Sequence, residues 1–373
     1  MLKLLEKLGY APRIAVWELT LACDLHCRHC GSRAGKARTD ELSLSEARGL
    51  CHELAELGCK HVTLSGGEPL LRKDWALIAE TLIECGIEIG MISNGSAWTD
   101  AIATTVRAIG FESVGFSLDG LEEAHEYQRR VPGHWQRVLR AIDSAVQAGI
   151  TVTVVTTINK RNLGELEQLR TLLCEHGVMR WQLQFATATG NMADERGLLM
   201  EPADLLQAVP LIARLCRDDH LPKVYAGHDV GYFGEPEESL RDQTAVVPYW
   251  TGCLAGMHVI GIESNGNIKG CLSLPSALNG VDAFVEGNIR QTPLREIWSR
   301  KGAFSYCRDF KVESLGGFCR NCEYNDICRG GCTWTCYAEQ GFVRDNRYCY
   351  FRQLSLEQAG ESGSQPKHLP VVT

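Results

Sequence analysis

Long apolar runs are missing from this chain of 373 residues. The most apolar internal stretch, residues 149–158 (GITVTVVTTI), is far short of the roughly 20 residues a helix needs to cross a bilayer. Lysine- and arginine-rich runs are also missing, and the formal net charge is −8, which argues against a nucleic-acid-binding surface. The N-terminus lacks a small-residue cleavage site and carries Lys3, Glu6 and Lys7 among its apolar residues, so it does not read as a signal peptide. These absences point to a cytoplasmic protein with neither membrane nor nucleic acid as partner.

Cysteine, by contrast, is abundant: there are 17. Without an export signal they do not form a disulfide framework, because the cytosol keeps thiols reduced. They bind metal or pack as small apolar residues. Cys51, Cys59, Cys85, Cys174 and Cys216 lie singly in patterned segments and are expected to pack in the core.

From residue 14 to about residue 220, β-branched apolar runs alternate with stretches of helical period. Strands are expected at residues 14–21, 61–65, 88–93, 113–118, 151–158 and 180–185. Helices are expected at 43–57, 74–85, 101–109, 135–147, 163–175 and 202–217, the first opened by a Ser43/Glu46 capping box. Six strand–helix units imply an α/β fold with a parallel sheet, and the count suits an open partial (β/α)6 barrel better than a closed eight-fold one. The active face is then the C-terminal ends of the strands. Beyond residue 220 glycine and proline break the pattern, and from Cys253 cysteines crowd together. The domain reading is a barrel over 1–245, a cysteine-rich domain over 246–355 and a disordered polar tail over 356–373.

Cys23, Cys27 and Cys30 follow the first strand directly. Three cysteines leave one iron of a four-iron cluster free to coordinate another molecule. A zinc site would need a fourth ligand, and His26 and His29 lie awkwardly inside the triplet's own turns. The CxxxCxΦC spacing, with His29 at Φ, resembles the radical S-adenosylmethionine (SAM) superfamily. That resemblance implies that the open iron binds SAM, and that one electron cleaves SAM to methionine and a 5′-deoxyadenosyl radical. The electron donor would be a protein such as flavodoxin or ferredoxin.

Further motifs fall at successive strand ends. Gly66-Gly67-Glu68-Pro69 resembles the family's GGEP motif, whose backbone and Glu68 would hold the SAM amino group. Ser93-Asn94 and Ser117 resemble its polar contacts to ribose and carboxylate, and Arg129 the arginine that forks onto the SAM carboxylate. Gln184, a polar residue on the sixth strand pointing into the barrel, would serve SAM, substrate or neither.

Downstream, Cys253-x12-Gly266-x4-Cys271, then Cys319-x2-Cys322-x5-Cys328-x3-Cys332 and Cys349, resembles the seven-cysteine signature of the SPASM domain, found on radical SAM enzymes that modify peptides and proteins. The resemblance implies two auxiliary four-iron clusters beside the SAM-binding one, three in all. Cys253, Cys271 and Cys332 would hold the first, and Cys319, Cys322, Cys328 and Cys349 the second. The first is then one ligand short. Some relatives supply it a few residues after the first cysteine, where this chain reads Leu254-Ala-Gly-Met-His-Val259. Cys307, Cys336 and His258 are candidates, or the iron is open to a substrate group. Zinc knuckles would suit a CxxC pair in isolation, but seven cysteines do not divide into two four-cysteine sites.

The implied reaction is oxidative. The expected function is maturation of a ribosomally made precursor peptide by a side-chain cross-link, specifically a cyclophane-type C–C bond. Only about a dozen residues precede the first strand, so a separate leader-recognition protein would be a partner, or the barrel and SPASM surfaces would read the peptide. Formylglycine formation in a sulfatase, or oxidation of a tetrapyrrole or quinone precursor, are the alternatives. No acid or base stands out, since Asp119, His228, Asp229, Tyr232 and Tyr249 have ordinary structural explanations, and Trp250 beside Cys253 reads as packing.

Overall fold

The structure is a computed structural model and describes residues 9–241, 248–275, 283–341 and 344–362. Seven strands alternate with helices: β1 (Ile14–Glu18), β2 (His61–Ser65), β3 (Glu88–Ser93), β4 (Ser113–Ser117), β5 (Val152–Ile158), β6 (Arg180–Phe185) and β7 (Lys223–Ala226). All pair in parallel in sequence order. Strand β5 shows why: Val152, Val154, Thr156 and Ile158 are buried, and the residues between them are half-buried. A parallel strand covered on both faces carries apolar, β-branched residues at nearly every position.

The cysteine-rich segment continues the same sheet. Strand β8 (Val259–Ile262) pairs in parallel with β1, with Ile14 opposite Val259 and Trp17 opposite Ile262. Strands β9 (Asn267–Lys269) and β10 (Gly287–Asn288) follow in antiparallel pairing, giving ten strands in the order β10-β9-β8-β1-β2-β3-β4-β5-β6-β7. The free edge of β1, where unpaired backbone groups would be exposed, is thereby covered. The proposed boundary at residue 245 lies outside the described residues.

Several expectations are corrected. Strand β1 ends at Glu18 rather than residue 21, because the Thr20 carbonyl accepts from Gly67 N and Leu21 N donates to Glu41. The stretch after residue 220, read as a link, contains β7. A helix at Glu122–Arg129 follows β4, ending in left-handed Arg130 (φ 64°). Residues 350–362, partly assigned to a disordered tail, form a helix, and the rest of that tail lies outside the described residues. Cys51 and Cys59 are buried, and Cys85 and Cys216, half-buried, pack against the core as expected, the Cys85 sulfur also lying 3.3 Å from His52 Nδ1; Cys174 is exposed.

Candidate active site and auxiliary cysteine centres

The three cysteines lie on the loop after β1, at the C-terminal mouth of the barrel. Three elements clasp this loop. From the β2 end, Gly67 N and Glu68 N donate to the carbonyls of Thr20 and Ala22, at 2.8 Å each. A Cβ on Gly67 would fall on the Ala22 carbonyl oxygen, so this approach needs glycine. From the helix before Arg130, the carbonyl of Gln128 accepts from Arg28 N at 2.9 Å. From the segment after β6, Asn191 N donates to the Cys30 carbonyl and Asn191 Nδ2 to the Cys27 carbonyl, both at 2.9 Å. Gly190, at φ +54°, lies so close that a Cβ would meet the carbonyl of Cys30.

The sulfurs face hydrogen-bond donors. Leu25 N lies 3.5 Å from Cys23 Sγ and Ala34 N 3.3 Å from Cys30 Sγ. Arg129 Nη1 lies 3.9 Å from Cys27 Sγ, while its Nε donates to Asp119 Oδ2 at 2.6 Å. His29 packs beside them, its Nε2 3.6 Å from Asp119 Oδ2 and its buried Nδ1 without a partner. Burial holds His29 neutral, with its pKa down at about 4.

Glu68 is fully buried. Its Oε1 accepts from Ser93 Oγ at 2.9 Å and Leu70 N at 3.2 Å, and its Oε2 from Asn94 N at 2.7 Å. These donors are all neutral, and burial raises the carboxyl to about 7. A cationic amino group beside it would favour the charged form. Asn94 in turn donates from Nδ2 to Asp24 Oδ1 at 2.7 Å, which ties the β3 end to the cysteine loop. Pro69 starts the short turn after Glu68, and Ser117 is the last residue of β4. Gln184 stands apart: it donates to Thr157 Oγ1 at 3.3 Å, accepts from Gln182 Nε2 at 3.4 Å, and is joined to Asp119 through Thr157, whose N–H donates to Asp119 Oδ1 at 3.0 Å.

The downstream cysteines share one buried cluster, Cys332 and Cys349 with Cys253, Cys322 and Cys328 packed against them, and divide by electrostatic influence into two groups. Cys319, Cys322, Cys328 and Cys349 act on one another electrostatically. Cys253, Cys271 and Cys332 do likewise, and Cys307 joins them by packing with Cys253 and Cys271 in one buried cluster. Aromatic residues wall the region: Trp250 packs on Tyr232 at 5.3 Å and donates to the Cys328 carbonyl at 3.1 Å. Tyr232 accepts from Cys332 N at 3.0 Å and donates to the His228 carbonyl at 2.6 Å. Among the described residues, no three His, Cys, Asp or Glu side chains converge as a single-ion site.

Residues 17–173 match the model of the Radical SAM superfamily, and residues 253–323 that of the SPASM iron–sulfur cluster-binding domain. The AdoMet-dependent heme synthase of Methanosarcina barkeri is 31% identical over 357 residues, 92% of this chain and 97% of that protein. The chain belongs to the radical SAM superfamily. Mycofactocin maturase MftC of Mycobacterium tuberculosis is 28% identical, over 86% of this chain and 78% of its own. Among solved structures, Streptococcus suis SuiB bound to precursor peptide SuiA superposes with a TM-score of 0.73 at 16% identity, covering 92% of this chain and 77% of SuiB. At that identity the likeness is one of fold.

A radical SAM enzyme with a SPASM domain implies SAM and iron–sulfur clusters, and the cysteine chemistry fits them. Backbone N–H groups lie against the Cys23 and Cys30 sulfurs and the Arg129 guanidinium against that of Cys27, an arrangement that suits thiolates bound to iron. Sequence reasoning missed the Asn191 clamp and the pairing of Arg129 with Asp119. The glycine of the Thr189-Gly190-Asn191 run was the one available signal for the former.

Proposed function

We propose that this radical SAM enzyme oxidises a side chain of a tetrapyrrole, using three four-iron clusters. The alignment with the heme synthase of M. barkeri carries this reading, because it runs through barrel and cysteine array alike. Fe-coproporphyrin III synthase of the same organism, 29% identical over 93% of this chain, and pre-heme d1 synthase of Dinoroseobacter shibae, 26% over 86%, point the same way.

When bound, SAM and its cluster supply the hydrogen-abstracting 5′-deoxyadenosyl radical. In this chain Cys23, Cys27 and Cys30 hold that cluster. The Gly66–Gly67 turn and the buried Glu68 present acceptors to the SAM amino group, with Pro69 fixing the turn. Asn94, Ser93 and Ser117 offer polar contacts at the strand ends. His29 supplies a flat, neutral ring beside the cysteine loop. Arg129, already paired with Asp119, brings fixed positive charge against Cys27 and toward the SAM carboxylate. Gln184 and Thr157 line the barrel on the substrate's side. Cys319, Cys322, Cys328 and Cys349 hold one auxiliary cluster and Cys253, Cys271 and Cys332 the other.

The mycofactocin maturase supports a second reading, maturation of a peptide, for which a cross-linked product is the form we propose. That reading stands behind the first because its relative is less similar and shares less of its length. One experiment separates them. The reconstituted enzyme is given SAM, a strong reductant and, in parallel, an iron porphyrin bearing propionate side chains or the precursor peptide of a neighbouring gene. Deoxyadenosine release coupled to a porphyrin of changed mass supports the first reading; coupling to a peptide lighter by two hydrogens supports the second and rejects the first.

A further inference from the structure

The first auxiliary group lacks a ligand at the turn where related domains place an extra cysteine, residues 254–259. In the structure that turn is not bare. Residues 304–308 pack directly on it: Phe304 lies so close to Gly256 that a Cβ there would fall within its side chain. Arg308 Nε donates to the Gly256 carbonyl at 2.6 Å. Phe304 itself is left-handed (φ 55°), turning the chain into the short helix Ser305–Arg308 that carries Cys307. Cys307 is 2% exposed and packs with Ala255, Met257, Cys253 and Cys271 in one cluster. Its Sγ lies 3.5 Å from Oγ1 of Thr333, the neighbour of Cys332.

The other two candidates are otherwise engaged. The Cys336 thiol donates to the Gly330 carbonyl at 2.9 Å, and the foremost of its cysteine neighbours electrostatically is Cys319, of the other group. His258 is half-buried and lies under the influence of Arg13, a cation.

We propose that Cys307 is the fourth protein ligand of the first auxiliary cluster, delivered by the helix stacked on the Cys253–Val259 turn in place of a cysteine within it. This rests on the three-cluster reading above. Ligation displaces the thiol proton to solvent as the iron–sulfur bond forms. With four cysteines the cluster has no iron open to a substrate group. Its part in an oxidative reaction is then to accept an electron through space, not to bind the substrate. Arg344, with Nη2 3.8 Å from Cys307 Sγ, would offset the charge of the thiolate-bound cluster.

The test uses the full-length protein, reconstituted anaerobically, with iron counting and Mössbauer and electron paramagnetic resonance spectra. Wild type is expected to hold about twelve irons. Cys307→Ala should lose one auxiliary cluster or convert it to a three-iron form, with the SAM-site signal retained as evidence of folding. Cys307→Ser, nearly isosteric, should shift the same signal, and Cys336→Ala should match wild type. Wild-type iron and spectra in both Cys307 variants would overturn the assignment, as would the loss appearing in Cys336→Ala instead. About four irons in wild type would overturn the three-cluster reading itself, and Cys319→Ala, which should remove only the second cluster, separates the two failures.

Discussion

Arg129 joins the carboxylate of Asp119 to the sulfur of Cys27, with Nε 2.6 Å from Asp119 Oδ2 and Nη1 3.9 Å from Cys27 Sγ. Both charged groups are buried, and each holds the other ionised, the Asp119 carboxyl far below its usual range. Removing one partner leaves an uncompensated buried charge. Arg129→Met should therefore destabilise the protein by about 3–5 kcal/mol, measured by denaturant unfolding. The double variant with Asp119→Asn should recover part of that loss; if it is no more stable than Arg129→Met alone, the pairing is not what the arginine contributes.

The glycines that let other segments approach the cysteine loop should be intolerant of a methyl group. Gly67→Ala sets a Cβ against the Ala22 carbonyl, and Gly190→Ala sets one against the Cys30 carbonyl. Each should displace the loop by a fraction of an ångström to an ångström, enough to lower SAM cleavage by roughly a hundredfold. Auxiliary-cluster spectra should be unchanged. Equal loss of all clusters would mean that these glycines serve folding generally.

Arg344 donates toward Cys307 Sγ and to Thr333 Oγ1 at 3.3 Å. Positive charge and N–H donors at a cluster's sulfurs favour its reduced state. Arg344→Met should lower the midpoint potential of one auxiliary cluster in a redox titration and leave the SAM-site cluster in place. An unchanged potential would place Arg344 away from any cluster.

Arg290 fastens the strand-β10 side of the sheet to the barrel. It donates to Glu46 from Nε at 2.5 Å and from Nη2 at 3.0 Å, to the Asp40 carbonyl at 2.8 Å and to the Glu41 carbonyl at 3.1 Å. The Arg290 hydrogen bond, aided by Ser43, lowers the Glu46 carboxyl to about 2. A lowered folded-state pKa means that this stabilisation is present above the ordinary carboxylate value of 4.5 and is lost as pH falls toward 2. Because the pair is partly exposed, the effect is small. Arg290→Ala should raise amide hydrogen exchange in residues 287–299 at neutral pH without altering the cluster spectra. Glu46→Gln should flatten the acid end of the stability profile.

Local pattern carried far into this fold. Strands β2, β3 and β6 begin and end where alternation of β-branched and apolar residues indicates, and the Ser43/Glu46 capping box forms with both of its hydrogen bonds. These features depend on neighbours in sequence. The pairing of β8 with β1 joins segments some 245 residues apart, Ile14 to Val259, and nothing in either segment alone names its partner. Strand β7 escaped notice because it is four residues long and half-exposed at the sheet edge. The cysteine spacings made the radical SAM and SPASM segments legible, whereas the approach of Cys307 to Cys253 depends on how residues 304–308 fold over Gly256. Cys174 misled because a helical period was taken for burial, while its own position faces outward.

SAM cleavage tests the account most directly. Anaerobically reconstituted wild type and Cys27→Ala, each with SAM and a strong reductant, are assayed for 5′-deoxyadenosine and methionine. The account predicts release of both in equal amounts by wild type and none above background by Cys27→Ala, with auxiliary-cluster spectra retained in the variant. Continued cleavage by Cys27→Ala would contradict the assignment of Cys23, Cys27 and Cys30 as the SAM-cleaving centre.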